Sequence, residues 1–211
     1  MAMSDYALAV LGPPLIDAFE ARAPSAELRF RHLGRTTRDD EEVPPRAVDG
    51  LVMPYGGPSR NLPHHELFRD EWVCVTAEDN DLIGPEPSTE ELRALRWVIG
   101  YHNPQNGPPV IAALEAQGVH QNRYVTVDSF HLLPRLVAGS RRLALVQGRL
   151  ARDLGPGTGL RVFRCPFELA PLIEAFRWHP AHTDDPAHTW LRALFRDTVR
   201  TRVAAPAPED A

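Results

Sequence analysis

The stretch 124-YVTVDSFHLLPRLVAGSRRLALVQGRLARDL-154 changes periodicity three times within 31 residues. Residues 124–127 are β-branched or aromatic, as a strand prefers. Asp128 and Ser129 then offer side-chain oxygens to the bare amides of a first helical turn, and a helix follows from Phe130. Leu143-Ala144-Leu145-Val146 reads as a strand again, and 148–154 as a short helix. Strand, cap, helix and strand in this order argue for a sheet covered by helices on both faces, the α/β class.

The same alternation extends outward. Downstream, 160–164 and 172–178 read as strands and 186–202 as an amphipathic final helix. The glycine run 155–159 lacks the Gly-Lys-Ser/Thr ending of a phosphate loop and reads as a turn. Upstream, Trp97-Val98-Ile99 is a buried strand, and 110–117 is a helix stopped by Gly118. Ser88 followed by Glu91 forms a capping box for a helix through Leu95. The segment 72-WVCVTAEDN-80 is a strand ending in a turn, and 27–33 and 51–53 are further strands. A first helix after Ser4-Asp5 places Leu8, Leu11, Leu15, Ile16 and Phe19 on one side. The pair Pro13-Pro14 leaves open its division into a short turn and a second helix, because proline fits only where the amide hydrogen is already unpaired.

Composition excludes several classes. With 43% apolar and 24% charged residues in 211, the chain is an ordinary globular protein. No run approaches the roughly 20 apolar residues of a membrane span, and the first residues carry no signal core, so a cytoplasmic location with no membrane contact is expected. All 23 basic side chains are arginine, interleaved with acids, and the formal charge is −5. A duplex-gripping module needs a basic face, so none is expected here. Cys74 and Cys165, 91 positions apart and in no C-x-x-C pair, are expected to be reduced and buried. The tail 204–211 is expected to fray.

Four segments resemble one family in order. The stretches 62-LPHHELFRDEWVCVTAEDNDL-82 with 88-STEELRALRWV-98, then 127-VDSFHLLPRLVAGSRRLALVQGRLA-151, then Pro166-Phe167, then 177-RWHPAHTDDPAHTWLRALF-195 are similar to the effector-binding domains of LysR-type transcriptional regulators, in the NodD/NahR-like branch. The resemblance implies a type 2 periplasmic-binding-protein-like fold, two Rossmann-like lobes joined by two crossover strands. Lobe one would comprise 1–71 plus 167–211 and lobe two 72–166, with the first strand of lobe one clipped to Met1-Ala2-Met3. It also implies that DNA is met only through a helix-turn-helix domain missing from this chain, and that the domains pair as homodimers or tetramers, for which 130–138 is a candidate face. Cys74 and Cys165 would lie in or beside the crossover strands, within reach of each other across the hinge.

Helix N-termini present unpaired amides and partial positive charge, so several starting at one cleft suit a carboxylate or phenolate. On this logic the effector site is expected to comprise Ser4, Asp5 and Tyr6, the Met53-Pro54-Tyr55 turn, Tyr101, His102 and Asn103, Ser129 and Phe130, and also Gln147 and Phe167. The aromatic members suit a flat ring, so an aromatic or phenolic acid is the expected small-molecule effector, acting by shifting lobe or subunit arrangement. No cofactor is expected. His64-His65 and the trio His179, His182 and His188 near Asp184 and Asp185 look like metal ligands, but proline interrupts the trio, so no metal is expected. No G-x-S-x-G motif occurs and neither cysteine begins a helix, so the chain is not expected to be an enzyme. The rival reading is a cytoplasmic solute-binding protein of the same fold, with no role in transcription.

Overall fold

Two mixed five-stranded sheets account for the short apolar runs. The computed structural model describes residues 1–33, 47–55, 61–100, 109–120, 122–152, 154 and 157–203. In chain order the elements are β1 (Ala2–Met3), α1 (Asp5–Arg22), β2 (Arg31–His32), β3 (Leu51–Pro54), β4 (His64–Asp70), β5 (Trp72–Ala77), α2 (Thr89–Ala94), β6 (Arg96–Gly100), α3 (Pro109–Ala116), β7 (Asn122–Val127), α4 (Leu133–Val137), β8 (Arg142–Gln147), α5 (Gly148–Ala151), β9 (Leu160–Arg164), β10 (Leu172–Arg177) and α6 (Pro186–Thr198). Of the described residues, one compact unit takes Met1–Tyr55, 61–69 and 173–203; the other takes those within Asp70–Leu172. The tail 204–211 lies outside the described residues.

In the first unit the strand order is β2-β1-β3-β10-β4. The three-residue lead Met1-Ala2-Met3 is not an idle remnant. Ala2 and Met3 are buried and pair in parallel with both β2 and β3, so two residues form an inner strand. Their neighbours supply the ladder: Ala2 N donates to Gly50 O at 2.9 Å, and Arg31 N to Met1 O at 2.8 Å. The strand expected over 27–33 shrinks to Arg31–His32, the two residues in register with Ala2 and Met3 of β1.

Helix α1 runs unbroken through Pro13-Pro14, so the possible division does not occur. Each proline removes one backbone bond, ordinarily a large cost. Ala9, whose carbonyl loses the Pro13 amide, and Pro13 itself are exposed, which places that lost bond on the solvent side of the helix. The opposite side is anchored by Tyr6, Ala7, Leu11, Gly12 and Leu15, all buried. Ile16, expected on that apolar side, is instead 43% exposed, and Phe19 stands edge-on to Trp190 of α6.

The second unit orders its strands β7-β6-β8-β5-β9, with β7, β6 and β8 parallel and β5 antiparallel to β8 and β9. Trp97 of β6 is fully buried, and its indole N–H donates to Leu92 O at 2.9 Å, satisfying the one polar atom it takes inside. The Ser88–Glu91 capping box forms as the spacing requires. Gly118 stops α3 at φ 71°, a conformation that favours glycine.

The helix expected after Asp128-Ser129 is shorter and starts differently. Phe130–Leu132 is a 3₁₀ turn, Ser129 makes no capping bond with its side chain, and Pro134 sits in the first turn of α4. Leu133, Pro134 and Val137 are buried, while His131, Leu132, Arg135 and Ala138 are exposed. The final helix is regular only to Thr198, and Val199–Val203 continues as a π turn.

Candidate functional site

Parallel strands leave their carboxyl ends at one edge, where a doubly wound sheet gathers its functional loops. In the first unit β1 and β3 do this side by side, with Met3 opposite Val52. Ser4-Asp5-Tyr6 therefore leaves the sheet next to Met53-Pro54-Tyr55. Ser4 Oγ accepts from Ala7 N at 3.0 Å, and Asp5 Oδ1 from Tyr6 N at 2.9 Å, so both side chains order the start of α1. Tyr6 is 1% exposed and stands edge-on to Phe68. Met53 and Pro54 are half-buried, whereas Tyr55 is 47% exposed, held by its amide donating to Ile173 O at 2.7 Å.

A residue the sequence reading missed lies beneath Tyr55. Arg177 is fully buried at the end of β10, and its guanidinium carbon is 5.8 Å from the centre of the Tyr55 ring. The pairing of Ala175 with Met53 puts Met53, Tyr55, Ala175 and Arg177 on one face of the sheet. Burial lowers the pKa of Arg177, but an arginine remains charged at neutral pH. A buried cation beside an exposed aromatic ring suits an anionic, flat guest.

In the second unit, the parallel trio β7, β6 and β8 aligns Val127, Gly100 and the end of β8 at one edge. Asp128-Ser129-Phe130 leaves from β7 and Gln147 from β8. Phe130 is buried and lies close over Gly100, where an added Cβ would come within 3.0 Å of its ring. Gln147 is 1% exposed. The turn after it is clamped by a residue not foreseen: Asp70 Oδ1 accepts from Glu71 N at 2.9 Å and Oδ2 from Arg149 N at 3.1 Å, while Gly148 N donates to Glu71 O at 2.8 Å. Phe167 is half-buried past the end of β9. Tyr101, His102 and Asn103 lie outside the described residues. The geometry thus brings the named residues into two groups, one at each sheet's carboxyl edge, with Phe167 in neither.

His179, His182 and His188 make structural contacts. His188 donates through Nε2 to Asp49 O and accepts through Nδ1 from Arg192 Nη1 at 2.8 Å, and its ring stacks on His182 at 5.1 Å. Arg192 also donates to His182 O, Thr183 O and Thr189 Oγ1 and lies over the Trp178 ring. His179 Nδ1 caps the turn by accepting from Ala181 N. Among the described residues no group of three or more side chains is placed to hold a metal ion.

This arrangement requires a neutral His188. Burial foremost, then the Arg192 and His182 charges, lower its pKa against the raising effect of Asp49; burial and Arg196 lower that of His65. The unfolded chain takes up these protons near pH 6.5 while the folded chain still refuses them. The histidine contribution to stability is therefore complete above about pH 6.5 and is lost as pH falls from there through the depressed folded-state values. Urea midpoints of the wild type should fall between pH 7.5 and 5.5, and fall less in His188→Gln; equal pH dependence in the two proteins would refute this.

Comparison with known proteins follows the same lines. The LysR substrate binding domain model matches residues 1–200. Nodulation protein D 2 of Rhizobium tropici is 28% identical over 211 residues, covering 99% of this chain and 66% of that protein. The chain spans between about half and two thirds of the length of the curated relatives it matches. Among solved structures, a probable transcriptional regulator from Pseudomonas aeruginosa superposes with a TM-score of 0.78 at 23% identity, covering 93% of this chain and 64% of that one. The regulatory domain of MexT, a transcriptional activator in Pseudomonas aeruginosa, gives 0.71 at 21% identity, covering 94% and 97%. The shared fold is the type 2 periplasmic-binding-protein-like one.

Proposed function

Because the chain belongs to the LysR substrate-binding domain family, we propose that it senses a small aromatic or phenolic acid for a LysR-type transcriptional regulator. The observation that carries the choice of an acid is Arg177, a fully buried cation 5.8 Å from the ring of a half-exposed tyrosine. The start of α1 supports it, since the N-terminus of an 18-residue helix carries partial positive charge beside that same strand edge. In this reading the lobes are the two compact units, and Ser4, Asp5, Tyr6, Met53, Pro54, Tyr55, Ser129, Phe130, Gln147 and Phe167 contribute to binding, as do Tyr101, His102 and Asn103.

The mechanism is a population shift without covalent chemistry. The effector favours one arrangement of lobes or of paired copies, by no more than its difference in affinity for the two states. DNA contact belongs to a further domain of the whole regulator, since arginines here alternate with acids and the net charge is −5. Thermal melting against aromatic acids, flavonoids and sugars tests the reading, because a ligand that prefers the native state raises the midpoint. Aromatic acids should raise it most. A panel in which no compound moves the midpoint would remove the sensor assignment, and one in which only sugars do would remove the acid.

A further inference from the structure

Folding brings the two cysteines, 91 positions apart in sequence, to within 3.5 Å of each other, sulfur to sulfur. Both belong to the second unit, so they meet inside it rather than across a hinge. Cys74 lies in the middle of β5, held by ladders on both sides through Leu145 of β8 and Phe163 of β9. It is fully buried. Cys165 lies one residue beyond the end of β9, on the same side as Phe163, half-buried, with its sulfur 3.7 Å from the Trp72 carbonyl. Among the described residues no further ligand side chains join them to make a metal site.

We propose that Cys74 and Cys165 form an oxidative modification site, a thiol pair that a hydroperoxide converts to an intramolecular disulfide. The difference in exposure assigns the roles. Cys165 is the sulfur an oxidant can reach, and Cys74, whose thiol is pushed well up by its hydrogen bond to Cys165 and by burial, waits protonated behind it. The Cys165 thiol first loses its proton to solvent, and the thiolate attacks the terminal peroxide oxygen. The O–O bond breaks, the alkoxide leaves and is protonated to the alcohol or water, and Cys165 becomes a sulfenic acid. The Cys74 sulfur then attacks the Cys165 sulfur. The S–O bond breaks as the S–S bond forms, and hydroxide leaves with the Cys74 proton as water, so two thiols and one hydroperoxide give one disulfide, one alcohol and one water.

Closure from 3.5 Å to a disulfide length near 2.0 Å requires a movement of roughly 1.5 Å. Cys165 is the residue placed to make it, because it sits past the last ladder residue Arg164 while Cys74 is fixed on both sides. The movement is made at the head of the run 166–172 that leads back to the first unit at Ile173.

The test is to treat the reduced, full chain with hydrogen peroxide at neutral pH, quench, and measure intact mass and tryptic peptides without reductant. The expected product is a monomer two hydrogens lighter, with peptide 70–93 joined to 165–177, reversed by dithiothreitol. In Cys74→Ser the reaction should stop at Cys165 one oxygen heavier and trappable by dimedone. In Cys165→Ser the buried Cys74 should stay unmodified in the folded protein. The proposal is overturned if the wild type keeps both thiols while peroxide oxidises a control thiol, if it gains only oxygen at Cys165, or if it forms only a covalent dimer.

Discussion

Truncating Phe176 to alanine is expected to lower stability by about 3–5 kcal/mol, a large share of the roughly 5–15 kcal/mol that holds an ordinary domain folded. Phe176 is 1% exposed on β10, its ring 4.6 Å from that of Phe195 and about equally distant from Trp178 and His188, at 6.1 and 6.2 Å. It joins the sheet to α6. Gly50 lies against it so closely that an added Cβ would come within 2.6 Å of Cε2 of the ring and 2.8 Å of Met1 Cε. A site packed this tightly on several sides cannot collapse fully around a deletion, so the cavity cost adds to the lost burial. Urea unfolding followed by circular dichroism measures the loss, and a midpoint within error of the wild type would show that the Phe176 cluster does not hold the first unit together. Phe176→Leu keeps most of the volume and should recover more than half of the loss.

Replacing Arg177 by methionine is expected to weaken binding of an acidic aromatic effector on the order of 10- to 100-fold, the worth of one hydrogen bond to a charged group. Methionine retains an unbranched apolar stem of similar reach, so the change removes charge more than volume. The decisive readout is a comparison, not a single affinity. Whichever aromatic acid stabilises the wild type should lose its effect in Arg177→Met, while its neutral amide should stabilise both proteins alike. An acid that raises the melting temperature equally in both would mean that the buried guanidinium serves the fold of β10 and takes no part in binding.

Local chemistry in the chain was enough for much of the secondary structure. The Ser88–Glu91 box and the glycine stop at 118 depend on contacts a few residues apart, the apolar runs at 72–77, 97–99 and 143–146 are read from their own composition, and each forms in place. Their alternation, with four segments in family order, was sufficient for the α/β class and for the family. Other features had no local signal. Ala2-Met3 is too short to read as a strand and becomes one only because β2 and β3 flank it. The polar alternation of His64–Asp70 does not announce β4, which takes its place beside β10. Pro13-Pro14 should break a helix, and only burial of the opposite face keeps α1 whole.

The candidate site divides in the same way. Ser4, Tyr55, Ser129 and Gln147 were visible because they follow strands or precede helices, positions that sequence order reveals. Arg177 was not, since an arginine ending a strand normally points to water; its burial beside Tyr55 follows from the pairing of β10 with β3. The contact between Cys74 and Cys165 is of the same kind, set by the register of β5 against β9. Sequence by itself determined most of the elements and their order, because propensity, capping and periodicity act over one or two turns. Tertiary structure alone decided which charges and thiols meet, because strand pairing joins residues far apart in the chain, 91 positions in the case of the two thiols.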